Sequence, residues 1–242
     1  MQDIILLLES ATDSCSVALS SGERLISEKY INEPKVHASK LALYVEEILK
    51  ENNISVSDCA AIAVSSGPGS YTGLRVGVSC AKGLCFGANK PLIAVNTLSA
   101  IAHSAIEKIS SNEELCELSN NSKELPYLVV PMIDAGRMEV YTASYNINGK
   151  EVSGTIAKIL DETSYSEELS KGKVLFTGNG AAKFMPLLEG NNNAIFIEQL
   201  PHASGMRVPA AKSLIEKRFE DNAYFEPFYL KDFIPGKPKK LL

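Results

Sequence analysis

Apolar and polar positions run along this chain in two rounds of the same order. Residues 4–9 form a short continuous apolar run that ends in a carboxylate, the pattern of a central strand. Residues 14–20 alternate around Cys15, Val17 and Leu19. A Ser21-Gly22-Glu23 turn follows, then a third strand near 24–31, closed by Pro34. Over 37–52 the apolar residues Leu41, Tyr44, Val45, Ile48 and Leu49 recur at helical spacing, which predicts an amphipathic helix. A strand at 59–64, a helix over about 72–88, a strand at 92–95 and a helix from 97 to about 109 complete the first round. The polar stretch 110–124 reads as a boundary. The second round has strands at 127–133 and 138–145 across a tight turn at Ala135-Gly136, and a third strand near 155–160. A helix near 165–170 and a strand at 174–177 come next. A Gly178-Asn179-Gly180 turn then leads into a helix, and a strand at 194–197 and a last helix over about 208–221 end the core.

Two successive strand-strand-strand-helix-strand-helix-strand-helix rounds predict an α/β protein built from a duplicated ribonuclease-H-like unit. That is the two-lobed arrangement of the actin, hexokinase and Hsp70 group, whose ligand cleft lies between the lobes. The expected division is an N-terminal lobe over 1–110, a C-terminal lobe over 111–230 and a basic tail over 231–242. In that tail Lys231, Lys237, Lys239 and Lys240 cluster around Pro235, Gly236 and Pro238.

Composition narrows the function classes. With 242 residues and 45% hydrophobic content, the chain can bury one large core or two smaller ones. Lys and Arg number 24 against 29 Asp and Glu, a formal charge of −5, which makes the chain a poor lone binder of nucleic acid. The five cysteines, Cys15, Cys59, Cys80, Cys85 and Cys116, are odd in number and contain no C-x-x-C pair, so a reduced chain is expected rather than a disulfide framework or a zinc site. The first apolar run is too short for a signal or a membrane span. These features predict a cytoplasmic protein.

The most informative run is Ser65-Ser66-Gly67-Pro68-Gly69-Ser70-Tyr71-Thr72-Gly73-Leu74-Arg75-Val76-Gly77, between a predicted strand and a predicted helix. Backbone N–H groups at such a turn can receive an anion, and Gly67, Gly69, Ser70, Thr72, Gly73 and Arg75 are the candidates. The run lacks the Gly-Lys-Ser/Thr ending of a P-loop and the spacing of a dinucleotide fingerprint, so a tight turn made for close backbone contact is the equal alternative.

Residues 66–77 resemble the signature of the TsaB family. Leu8-Glu9-Ser10-Ala11-Thr12-Asp13-Ser14-Cys15-Ser16-Val17-Ala18-Leu19 is similar to that family's first hairpin, Asp134-Ala135-Gly136-Arg137-Met138-Glu139-Val140-Tyr141 to its central hairpin, and Glu226-Pro227-Phe228-Tyr229-Leu230 to its C-terminal motif. The four matches occur in order and span nearly the whole chain. The resemblance implies a non-catalytic subunit in tRNA modification. It implies pairing with a catalytic paralogue, TsaD, joined by an ATPase, TsaE. The complex would move a threonylcarbamoyl group to N6 of the adenosine next to the anticodon, in tRNAs reading codons that begin with A. No tightly bound cofactor is implied, with ATP or ADP entering only in the complex. The tRNA would be met indirectly, and the chain alone would be a homodimer.

Individual residues admit competing readings. The catalytic paralogue carries two histidines at i and i+4 on its first long helix. Here His37 is followed by Leu41, so a metal site is not expected, and His37 reads as packing locally. No His-Glu-x-x-His run and no Gly-x-Ser-x-Gly elbow supports a peptidase. Glu9 stands where actin-like phosphotransferases place an Asp, so a small-molecule phosphotransferase is the main enzymatic alternative, with Glu9, Thr12, Asp134 and Arg137 as cleft candidates. Asp134 and Arg137 also read as a pair across their own turn. Gly73, Gly77 and Ala81 line one helix face at every fourth residue. Each interior Gly costs a helix about 1 kcal/mol relative to Ala, so a close neighbour is expected. That neighbour is either the protein's own sheet or a partner. The partner reading makes His37, Leu41, Tyr44, Val45, Ile48, Gly73, Gly77 and Ala81 an interface.

Overall fold

A computed structural model describes residues 3–33, 36–111 and 125–231. Pro34, Cys116, most of the expected boundary at 110–124 and the lysines beyond Lys231 lie outside the described residues. The first sheet contains β1 (Ile4–Glu9), β2 (Ser14–Ser21), β3 (Arg24–Asn32), β4 (Ala61–Gly67) and β5 (Leu92–Asn96), in the order β3-β2-β1-β4-β5. The first three strands form antiparallel hairpins, and β4 and β5 add in parallel on the other side of β1. β1 is central and reads as continuous apolar sequence because Ile5 to Leu8 are all fully buried.

The second sheet repeats the first. β6 (Leu128–Asp134), β7 (Glu139–Asn146), β8 (Glu151–Ile159), β9 (Val174–Thr177) and β10 (Ala194–Ile197) lie in the order β8-β7-β6-β9-β10, antiparallel at the hairpins and parallel at β6–β9–β10. The fold is therefore the duplicated ribonuclease-H-like one.

Among the described residues, five helices cover the sheets. α1 (His37–Glu51) and α2 (Tyr71–Ala88) lie on one face of the first sheet, where Leu41, Val45 and Ile48 of α1 and Val78, Ala81 and Cys85 of α2 meet Leu6, Leu8 and Val64. Burying each large aliphatic side chain in this layer stabilises the fold by about 1.5–3 kcal/mol. α3 (Thr97–Ser111) is shared. Ala100 belongs to the core beneath the first sheet, whereas Leu98, Ile101, Ala102, Ala105 and Ile109 pack with Val129, Ile133 and Ala143 of the second. α4 (Ser166–Lys171) covers the second sheet's other face together with two 3-10 turns, 181–183 and 185–188.

α5 (Arg207–Ile215) returns to the first sheet. Met206, Ala210 and Ala211 pack with Ile5, Leu7 and Ile93, so this helix of the second half completes the first sheet's core. It ends six residues before the expected position. Lys217 adopts the left-handed conformation at φ 53°, and Arg218 N–H closes onto Ser213 O at 2.9 Å, the geometry that stops a helix. The helix expected after Gly178-Asn179-Gly180 is replaced by the two 3-10 turns. There Gly178 and Gly180 leave no room for a Cβ against the backbone of Met132 and Ile133, and Pro186 interrupts the run.

Candidate functional site

The two predicted centres of interest, the Gly-rich turn and the first hairpin, are packed onto each other. The Gly67–Pro68 bond is cis, and Ser70 caps α2, its hydroxyl accepting the Gly73 N–H at 3.3 Å. Ser70 N–H donates to Ala11 O at 2.6 Å. A Cβ on Gly69 would overlap the carbonyl of Ala11, and one on Gly73 the carbonyl of Ser10. The Ser10 hydroxyl donates to Gly73 O at 2.9 Å, and Ser65 Oγ accepts the Ser10 N–H at 3.3 Å. The glycines are thus explained by close backbone approach. The first hairpin presents the Ser10 and Ala11 carbonyl oxygens to the turn, and the N–H groups of Ser70 and Gly73 are already used, so the predicted anion position is occupied by acceptors.

The C-terminal motif covers the same turn. Phe228 N–H donates to Ser66 O at 2.7 Å, and a Cβ on Gly67 would lie 2.6 Å from Phe228 O. Tyr229 packs on Tyr71 with ring centroids 5.1 Å apart, and Arg75 reaches Tyr229 Oη at 3.3 Å while lying 4.2 Å over the Tyr71 ring. Upstream, Lys82 on α2 donates to Ala223 O and Phe225 O, both at 3.1 Å, and Lys231 pairs with Glu139 on the second sheet. Residues 222–231 therefore form a strap running back along α2. Sequence reasoning marked 226–230 only through its resemblance and missed Lys82, because nothing local to a helical lysine reveals partners 141 and 143 residues away.

The cleft candidates do not converge. Glu9 is fully buried, and its Oε1 accepts the Ala11 N–H at 2.6 Å. Burial pushes its pKa up to about 7, against the pull of the Ala11 N–H, Ser65 and His202. The Thr12 hydroxyl meets Ser14 Oγ at 2.9 Å. Asp134 pairs with Lys183 at 2.6 Å and accepts the Gly136 N–H at 2.6 Å. The expected Asp134–Arg137 pair is thus replaced. Lys183 also donates to the carbonyls of Arg137 and Glu139 at 2.8 and 3.0 Å, so one ammonium pins the whole β6–β7 turn. Burial raises the Asp134 carboxyl and the Lys183 contact more than offsets it, leaving it below its usual range.

His37 is buried, and its Nε2–H donates to Thr12 O at 2.6 Å, tying α1 to the first hairpin. Among the described residues, no group of three or more His, Cys, Asp or Glu is placed to hold a metal ion. Leu41, Val45, Ile48, Gly73, Gly77 and Ala81 also face inward, so this part of the predicted interface is corrected: the small-residue stripe packs against Ser10 and Val64 of the protein's own sheet. Tyr44 is half-buried. The outward face of the same two helices carries other apolar residues. Leu43 is 40% and Phe86 84% exposed, and Val76, Cys80 and Leu84 are half-buried along α2, packed against the first sheet's core. No helix among the described residues is long and apolar enough to cross a membrane.

Comparison with known proteins places this geometry. The family model described as "TsaD: tRNA N6-adenosine threonylcarbamoyltransferase" matches residues 25–239. The chain is 31% identical to the tRNA threonylcarbamoyladenosine biosynthesis protein TsaB of Haemophilus influenzae, over 98% of both proteins, and 29% identical to the TsaB protein of Escherichia coli K12, over 96% of both. A solved structure from Pseudomonas aeruginosa, described as an uncharacterized protein with similarity to peptidase YEAZ, superposes with a TM-score of 0.80 at 24% identity, over 95% of this chain and all of that one. That likeness concerns the fold.

Proposed function

The chain belongs to the TsaB family of tRNA threonylcarbamoyladenosine biosynthesis proteins, and on that premise we propose that it is the non-catalytic scaffold of the transferring complex. It pairs with a TsaD-like catalytic paralogue and holds it in its active arrangement, a TsaE-like ATPase joins the pair, and the threonylcarbamoyl group passes to N6 of the adenosine next to the anticodon, in tRNAs reading codons that begin with A. The tRNA is met mainly by the other subunits. The chain alone is a cytoplasmic homodimer that holds no nucleotide tightly, and ATP or ADP enters only in the complex.

The observation that carries this reading is a contrast between interior and surface. Where an actin-like enzyme would present a carboxylate to substrate, Glu9 is sealed, and the Gly-rich turn is filled by the protein's own carbonyls and strap. Apolar residues are left exposed on α1 and α2, at Leu43 and Phe86, with Val76, Cys80 and Leu84 half-buried along α2, and others are exposed on β8, at Val152, Ile156 and Ile159. A paralogue described by the same family model carries the counterpart helices, so two such faces can meet about a pseudo-two-fold axis.

The test is co-elution of the purified chain with the TsaD-like paralogue from the same genome, by size-exclusion chromatography with light scattering. A one-to-one complex is the expected result. Failure to associate, with or without the ATPase and ATP, overturns the scaffold reading. Nucleotide binding and phosphoryl transfer by the isolated chain would put the phosphotransferase reading in its place.

A further inference from the structure

A buried acid lies beneath the segment that carries the chain back from the second sheet to the first. Glu9 ends β1, and while its Oε1 is held by the Ala11 N–H, its Oε2 is buried with no hydrogen-bond partner. Ser16 lies directly opposite Glu9 on β2. The Ser16 hydroxyl accepts the Ala203 N–H at 2.8 Å, and Ser14 Oγ donates to Pro201 O at 3.0 Å. Residues 201–204 therefore cross the strand beside Glu9. The outer side of the segment is fastened to β3, where His202 stacks on Tyr30 with centroids 4.0 Å apart and Glu28 accepts the Ser204 N–H at 2.9 Å.

We propose that residues 201–204 are a proton-controlled latch, seated while the Glu9 carboxyl is protonated and unseated when it ionises. A neutral carboxyl with one idle oxygen costs the fold little. A carboxylate there would be a fully buried charge with no cation in contact among the described residues, held by the Ala11 N–H on one oxygen and by nothing on the other while the segment is seated, so burial favours the neutral form. Leaving the segment in place keeps the proton on. Lifting it lets water reach Oε2, the O–H bond breaks, and the proton passes to solvent. The same balance appears in the burial that pushes the Glu9 pKa up to about 7.

The neighbouring groups leave Glu9 in control. Cys15 on β2 points to the opposite face of the sheet, and burial pushes its thiol up to about 12, so it stays neutral. From β4, Ser65 contributes a hydroxyl. From the segment itself, His202 lies within electrostatic reach and sits 3.7 Å from Glu28. Burial raises Glu28, but His202 and the Ser204 N–H more than offset it and keep it below its usual range. Because residues 201–204 connect β10 to α5, the latch sets how firmly the second sheet is tied to the first.

Amide hydrogen exchange of the intact protein between pH 5.5 and 8.5, corrected for the intrinsic rate, tests the latch. Protection at Ala203 and Ser204 should fall at least about tenfold over this range in the wild-type chain, and by less than about twofold in Glu9→Gln. An equal fall in both proteins overturns the proposal, as does a fall that survives Glu9→Gln but vanishes in His202→Gln. A wild-type measurement stands apart from any folding defect of the variants: the carbon-13 shift of the Glu9 carboxyl should titrate with the same midpoint as the loss of protection. A Glu9 that is ionised throughout, or a midpoint that differs from that of exchange, overturns it.

Discussion

Ser10 Oγ fills the space into which a side chain on Gly77 would grow. The first hairpin and α2 are therefore in contact at atomic distance, with Val64 on the far side, and the Ser10 hydroxyl also binds Gly73 O. Gly77→Ala should destabilise the protein by about 1–3 kcal/mol through overpacking, although Ala is the better helix former by about 1 kcal/mol. Gly83, on the same helix with nothing within 4 Å of its would-be Cβ, makes the matched control. Gly83→Ala should stabilise by about 0.5–1 kcal/mol. Urea unfolding of the two variants checks both signs.

This pair also shows how far the sequence could be read. The periodicity Gly73, Gly77, Ala81 announces that something approaches α2 closely, and β1 to β5 with their helices follow from alternation and apolar runs. The identity of the neighbour is a matter of tertiary packing. A small-residue stripe is equally suited to a partner helix or to the protein's own hairpin, and only the position of Ser10 above Gly77 decides. Glu9 was legible as a strand-end carboxylate, but the segment fastened to the strand beside it, residues 201–204, lies nearly 200 positions away. Likewise α5 reads as the last helix of the second round, and no local signal places it on the first sheet. Strand order is local information here, while the exchange of a helix between sheets is not.

The outward residues of α1 and α2 carry the docking prediction. Phe86 and Leu43 can be changed without touching either core. Phe86→Glu or Leu43→Glu should weaken association with the TsaD-like paralogue at least about tenfold, because a charge at the centre of an apolar contact is left unpaired. The melting temperature of the isolated chain should stay within about 2 °C. Titration calorimetry against the paralogue, alongside thermal melts, separates the two effects. Unchanged affinity in both variants would remove these helices as the docking face.

Asn96 joins the two sheets through one side chain. Its Oδ1 accepts the Leu98 N–H at 2.8 Å at the start of α3, and its Nδ2 donates to Thr155 Oγ1 on β8 at 2.9 Å. Asn96→Ala removes the cap and the bridge together and should cost about 1–3 kcal/mol. Thr155→Val removes the bridge alone and should cost about 1 kcal/mol. The difference between the two variants in denaturant unfolding measures the cap, and equal losses would show that the cap contributes nothing.

Stability should depend on pH through carboxyls of opposite sign, with Glu9 on one side and Asp134 among those on the other. The folded-state pKa of Glu9 lies above its unfolded value of 4.5, so its contribution is complete below that pH and is lost as pH rises through about 7. The expected loss is about 3 kcal/mol between acid and pH 8, an upper figure because water enters as the site loosens. Asp134 behaves in the other direction. Its carboxyl is held below its unfolded value of 3.8, so the contribution is present above that pH and is lost as pH falls through the folded value. Asp134 is half-exposed at its side chain and pairs at the surface, which limits it to a fraction of a kcal/mol. The wild-type chain should therefore lose stability mainly on the alkaline side. Urea unfolding of the wild type and Glu9→Gln at pH 5 and pH 8 gives the comparison. Glu9→Gln should be the flatter of the two, and the more stable at pH 8 relative to the wild type than at pH 5. A wild-type chain whose stability rises from pH 5 to pH 8 would mean that Glu9 is ionised in its pocket and has found a donor there.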